Sequence, residues 1–138
     1  MKYFWLLAVS ILTFSCSKES EVNNNPYLPN YPVNELIDTN LPLYSALKFT
    51  GNYVTLTHQG AGIRGIVVFN SGSGILAFDM ACPNQALTDC STLTISGVSA
   101  VCPCDNVSYS LFTGQGGLQY PLKSYRTEKN GDVIRVYN

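Results

Sequence analysis

The sequence predicts an all-β domain, an antiparallel sandwich with two cysteine-bearing loops at one end. Three observations carry that expectation. Short runs in the later two-thirds of the chain alternate apolar and polar residues, the period of strands with one buried face. Gly, Pro, Asn and Ser interrupt those runs at frequent intervals. No segment beyond the N-terminal apolar run shows the 3.6-residue period of a helix of useful length. At 138 residues, the chain suffices for one domain with a modest core.

The N-terminus comes before that domain. Met1-Lys2 and the apolar run from Tyr3 to Phe14 read as an export signal, too short for a comfortable membrane span. The run ends Leu12-Thr13-Phe14-Ser15-Cys16, which resembles a bacterial lipobox, although Phe14 is bulkier than the small residue usual there. The resemblance implies that residues 1–15 are removed and that Cys16 carries lipid; plain signal-peptidase cleavage nearby is the alternative. Residues 16–32 then form the lipidated cysteine and a flexible tether, rich in Asn, Ser and Pro. Ser17-Lys18-Glu19-Ser20-Glu21 resembles the charged signals that send some Gram-negative lipoproteins to the cell surface, and reads equally as a solvated spacer. The expected location is therefore the envelope of a Gram-negative bacterium, as an outer membrane lipoprotein on its periplasmic or surface face.

The domain itself occupies 33–138. Residues 33–38 read as a first strand, and Asn40-Leu41-Pro42 as the cap and start of a helical turn reaching Leu47. Residues 53–57 alternate as a half-buried strand. The continuous apolar run 65–70 indicates a strand buried on both faces. After the Ser71-Gly72-Ser73-Gly74 turn, residues 75–79 set Ile75 and Ala77 against Leu76 and Phe78. Further strands are expected at 92–96, 98–101 and 108–112. A Gly-rich and Pro-rich loop follows, and residues 125–128 and 133–137 flank Asn130-Gly131, a type I′ hairpin signal.

Strand 75–79 leads into Cys82-Pro83-Asn84. Seventeen residues later comes Cys102-Pro103-Cys104-Asp105. Two such loops resemble the cluster-binding loops of the Rieske iron–sulfur family, which carry Cys-x-His and Cys-x-x-His. The resemblance spans nearly all of 33–138 and includes the third, Gly/Pro-rich loop. It places Cys82 and Cys102 on the cysteine ligand positions, and Asn84 and Asp105 where the histidines belong. A Rieske centre needs two cysteines and two histidines. The chain has one histidine, His58, upstream of both loops. Asn is a poor ligand for iron beside sulfide, and Asp would make a different, harder site; both residue types favour turns.

Some members of the family join a further cysteine from each loop. Cys104 matches one such position, and Cys90 could supply the other. The resemblance thus implies Cys82–Cys102 and Cys90–Cys104, with Cys82–Cys104 and Cys90–Cys102 as the runner-up. Export favours disulfides over thiols. A zinc site of four cysteines is the competing use, but neither Cys82/Cys90 nor Cys102/Cys104 has knuckle spacing.

These readings imply a lipid-anchored binding or structural module that is not an enzyme and holds no cofactor. The alternative is an electron-transfer protein with a [2Fe–2S] cluster on unusual ligands. The signal contains no arginine, unlike the twin-arginine signals that export folded, cluster-loaded proteins. Removing residues 1–15 leaves seven Lys+Arg against nine Asp+Glu, a formal charge of −2, and no basic patch suggests nucleic acid. His58 stands in an expected hairpin loop without a companion for catalysis, and Gly72-Ser73-Gly74 is a turn rather than a nucleophile elbow. The membrane, through Cys16, is the only partner these residues identify.

Overall fold

The computed structural model describes residues 24–138. The expected signal peptide, Cys16 and the charged stretch after it lie outside the described residues. Nine strands form: β1 (Asn34–Asp38), β2 (Tyr53–Leu56), β3 (Ile66–Asn70), β4 (Ile75–Asp79), β5 (Thr94–Ser96), β6 (Ser99–Val101), β7 (Ser108–Ser110), β8 (Ser124–Asn130) and β9 (Val133–Tyr137). The only helical element described is a 3-10 turn, Ser45–Lys48. All strand pairs are antiparallel, in a six-stranded sheet of order β1-β9-β8-β4-β3-β2 and a three-stranded sheet of order β5-β6-β7.

The larger sheet curls because β8 changes partner along its length. Its first residues, Ser124 and Tyr125, pair with Phe78 and Ala77 of β4. The remainder pairs with β9. The bend lets the two outermost strands share one core: Ile37 of β1 packs in the same cluster as Val54 and Leu56 of β2. His58 crosses the same gap, with Nε2 3.3 Å from Glu35 Oε2.

β3 explains its own composition. Ile66 and Val68 enter the cluster inside the curl, whereas Val67 and Phe69 enter a second cluster beneath the small sheet. A strand covered on both faces has no polar face to alternate with. β4 does the same, sending Ala77 one way and Phe78 the other. The small sheet closes the second cluster with Ala100 and Tyr109.

Several local expectations shift. The 3-10 turn begins at Ser45 with no side-chain cap; Asn40 instead joins Asp132 (3.1 Å) and accepts from Lys48 Nζ (2.7 Å). In the last hairpin Asn130 pairs with Val133, so the two-residue loop is Gly131-Asp132. Gly131 has φ +62 and Asp132 is not in the left-handed region, the sign pattern of a type II′ turn rather than I′. Gly65 falls outside β3: at φ +107, a Cβ there would lie 2.8 Å from the Leu56 carbonyl oxygen.

The largest difference concerns the segment before Val33, expected to be a free tether as far as residue 32. Its described part packs on the domain. Asn25 is 5% exposed and Leu28 4%. Asn25 Nδ2 donates to the Pro83 carbonyl at 2.6 Å, and the Tyr27 ring meets Tyr120 edge-on at 6.2 Å. Asn138 then clips residues 31–33, donating to the Tyr31 carbonyl and accepting from Val33 N–H. Composition missed this because one buried amide and one leucine do not change the polar average of the segment.

Candidate functional site at the cysteine loops

β4 ends in Asp79, whose carboxylate organises the first loop although it is fully buried. Oδ2 accepts from Tyr125 Oη (2.7 Å) and Ile63 N–H (2.7 Å). Oδ1 accepts from Ala81 N–H (2.8 Å) and Arg64 N–H (3.3 Å). A buried charge is tolerable when its lone pairs are taken up by donors in this way. The knot needs Gly62: at φ +65, a Cβ there would stand 2.4 Å from Asp79 Oδ2. Burial pushes the Tyr125 phenol well above its ordinary range, and the Asp79 charge and hydrogen bond add to the effect.

Beyond Asp79 the chain turns through Cys82, Pro83 and Asn84. Ser91, also buried, holds the stretch up to Cys90: its hydroxyl donates to the Ala86 carbonyl (3.1 Å) and accepts from Thr88 N–H (2.8 Å). Cys82 N–H donates to the Ser91 carbonyl (2.9 Å). In the second loop Asn106 sits at φ +59, a conformation Asn tolerates better than most residues. Asp105 Oδ1 accepts from Val107 N–H at 3.0 Å, a local Asx turn on the exposed rim.

Asn84 ties the first loop to the third. Its Nδ2 donates to Tyr109 Oη (2.9 Å) and the Tyr120 carbonyl (2.7 Å), while Oδ1 accepts from Tyr120 N–H (2.9 Å). The third loop lies close over Tyr109; a Cβ at Gly116 would fall 2.4 Å from the tyrosine ring. Burial raises the Tyr109 phenol pKa, the Asn84 hydrogen bond opposes this, and the charge of Asp105 adds to it.

The four cysteines pair between loops. Cys82–Cys102 has a Cα separation of 5.7 Å and Cys90–Cys104 of 5.2 Å, both within the ordinary disulfide range. The bonds differ in setting. Cys82 and Cys102 are buried in the second core cluster, whereas Cys90 is exposed and Cys104 partly so.

This donor set does not fit a Rieske cluster. Cys82 and Cys102 are bonded to each other, both polar atoms of the Asn84 amide are engaged, and Asp105 offers hard oxygen from the rim. Among the described residues no three His, Cys, Asp or Glu side chains converge as a metal-holding group. His58 remains on the far side of β2, paired with Glu35. Of the ligand positions implied by the resemblance, the structure brings Cys82 and Cys102 together and places Asn84 and Asp105 in loop-building roles.

Three residues at this end escaped the sequence reading: Asp79, Asn25 and Lys123. Lys123 is 3% exposed, and its ammonium donates to Asn30 Oδ1. Burial lowers its pKa, against the opposing pull of Asp79. An aspartate closing the apolar run 75–79 was a readable signal. Asn25 and Lys123 carried none, because their burial depends on segments distant in sequence.

No protein-family model matches the chain, and no curated protein does. Solved structures do. The apo form of a quaternary ammonium Rieske monooxygenase is 14% identical over 80% of this chain and 34% of its own, with a TM-score of 0.51. A structure of such an enzyme with gamma-butyrobetaine gives 18% identity over 67% of this chain and 29% of its own, at 0.50. The ferredoxin of carbazole 1,9a-dioxygenase from Nocardioides aromaticivorans IC177 is 16% identical over 78% of this chain and 97% of its own, at 0.46. The chain spans about a third of the monooxygenase and nearly the whole ferredoxin. At these identities the likeness concerns the fold: an all-β, Rieske-like domain with two cysteine loops at one end.

Proposed function

We propose that this chain is a lipid-anchored module of the bacterial envelope in which disulfides take the place of an iron–sulfur cluster, acting by binding or as a structural component rather than as an enzyme. The observation that carries this reading is the Cys82–Cys102 bond, which joins the two residues aligned with the cysteine ligands of the family. The double use of the Asn84 amide supports it, since Oδ1, the atom that would ligate, already accepts from Tyr120 N–H while Nδ2 is held by Tyr109 and the Tyr120 carbonyl. The arginine-free signal supports it too, because a chain exported unfolded leaves without a cluster assembled in the cytoplasm.

The test is elemental. Protein purified from its native compartment is expected to contain no stoichiometric iron or zinc and to show a featureless visible spectrum. A reddish preparation with two irons and two sulfides per chain overturns the reading in favour of electron transfer.

The anchor is tested separately. Cys16→Ala is expected to move the mature domain from the membrane fraction to the soluble one, since acyl chains contribute about 0.8 kcal/mol per buried CH₂. A processed variant that stays with the membrane shows that something other than lipid holds it there.

A further inference from the structure

The cysteine-loop end is also where the N-terminal segment locks onto the domain. Asn25 is held in a buried hydrogen bond to Pro83 of the first loop, Tyr27 lies against Tyr120 of the third, and Asn30 accepts from Lys123. Only nine residue steps separate Cys16 from Asn25. Fully extended, they span at most about 32 Å. A lipid on Cys16 is therefore joined to the domain at this end rather than the other.

The rim at this end suits that position. Tyr27 is 42% exposed and Leu118 45%, and Tyr120, two residues from Leu118, is half-buried, its ring edge-on to Tyr27 and its N–H on Asn84 Oδ1. Tyrosines with an apolar ring and a wet hydroxyl belong at a lipid headgroup boundary. The opposite end is well separated. β8 runs from Ser124, beside Phe78, to Asn130, roughly 20 Å at strand rise. There the β8–β9 hairpin bonds to Thr39 and Asn40, three residues before the exposed Leu43.

We infer that the cysteine-loop end is the membrane-facing surface of the domain, meeting the lipid headgroup region through Tyr27, Leu118 and Tyr120. This rests on the reading of Cys16 as the anchor, and it leaves the Leu43 end facing away from the bilayer.

The chain supplies its own probes. Its single tryptophan is Trp5, within the expected signal, so Leu118→Trp and Leu43→Trp each give a single-tryptophan mature protein. With four of the five cysteines in disulfides, Cys16 is the one thiol open to coupling with a maleimide lipid in phosphatidylcholine vesicles. Brominated phosphatidylcholine is expected to quench Leu118→Trp at least threefold more than Leu43→Trp, with a blue shift at 118 only. Asn25→Ala, which frees the latch and lengthens the tether, is expected to narrow that difference. Equal quenching at the two positions, stronger quenching at 43, or none at either overturns the inference. Chemical coupling makes this independent of acylation in the cell: if Cys16→Ala leaves the native protein on the membrane while the quenching pattern holds, the anchor reading fails and the orientation of the tethered domain stands.

Discussion

Complete reduction of the two disulfides is expected to lower the melting temperature by roughly 15 °C. The bonds join residues 20 and 14 apart, and closing loops of that size removes unfolded-chain entropy equivalent to about 3 kcal/mol each. The two loops overlap in sequence, so the joint effect falls short of the sum. Even so, it is a large share of the 5–15 kcal/mol that ordinarily separates folded from unfolded domains. Exposure sets the order of events. A thiolate must reach a sulfur to attack it, and Cys90 is exposed whereas Cys82 and Cys102 are 1% and 0% exposed. Mild reductant should therefore open Cys90–Cys104 first and leave Cys82–Cys102 closed until the domain loosens. Timed alkylation with peptide mapping, run beside thermal melts, checks both parts. Unchanged melting after full reduction, or prior loss of the buried bond, contradicts the argument.

Asp79→Ala is expected to destabilise the domain by about 4 kcal/mol, through buried donors left without an acceptor. Tyr125 Oη and the amides of Ile63 and Ala81 all lose close partners, at 2.7, 2.7 and 2.8 Å, around a carboxylate that is itself fully buried. Asp79→Asn should cost less, because one oxygen survives to accept while the new NH₂ meets a donor. Tyr125→Phe separates the contributions, since it removes one donor and leaves the carboxylate with its amides. The same knot predicts a pH dependence. The Tyr125 phenol is held well above the ordinary tyrosine value of 10.0, so its protonated form is favoured by folding. That stability is present in full below pH 10.0, the unfolded value, and declines as pH rises above it. Denaturant titrations of wild type and Tyr125→Phe should therefore diverge less at strongly alkaline pH than at neutral pH; a difference that stays constant refutes the linkage.

The sequence by itself determined the strand inventory, because the apolar–polar pattern and the turn residues that mark each strand lie within a few residues of one another. The run at 66–69 is apolar throughout because both its faces are covered. Residues 75–79 alternate because Ala77 and Phe78 enter different clusters. The paired cysteine loops were equally legible, since their spacing is a local property. Even the misplaced turn at Gly131 was a one-residue error in a signal that was present.

Tertiary structure decided what those loops do. Asn84 reads as an ordinary turn residue, yet its amide reaches Tyr109 and Tyr120, 25 and 36 residues away. Asn25 belongs by composition to a tether and is buried only because Pro83, 58 residues on, offers a carbonyl. The buried Asp79 carboxylate finds its acceptor roles filled because Tyr125 and the Ile63–Arg64 turn bring donors to it. In each case a polar group chose a partner far along the chain. Such choices follow from how the sheet curls, which no local pattern of residues encodes.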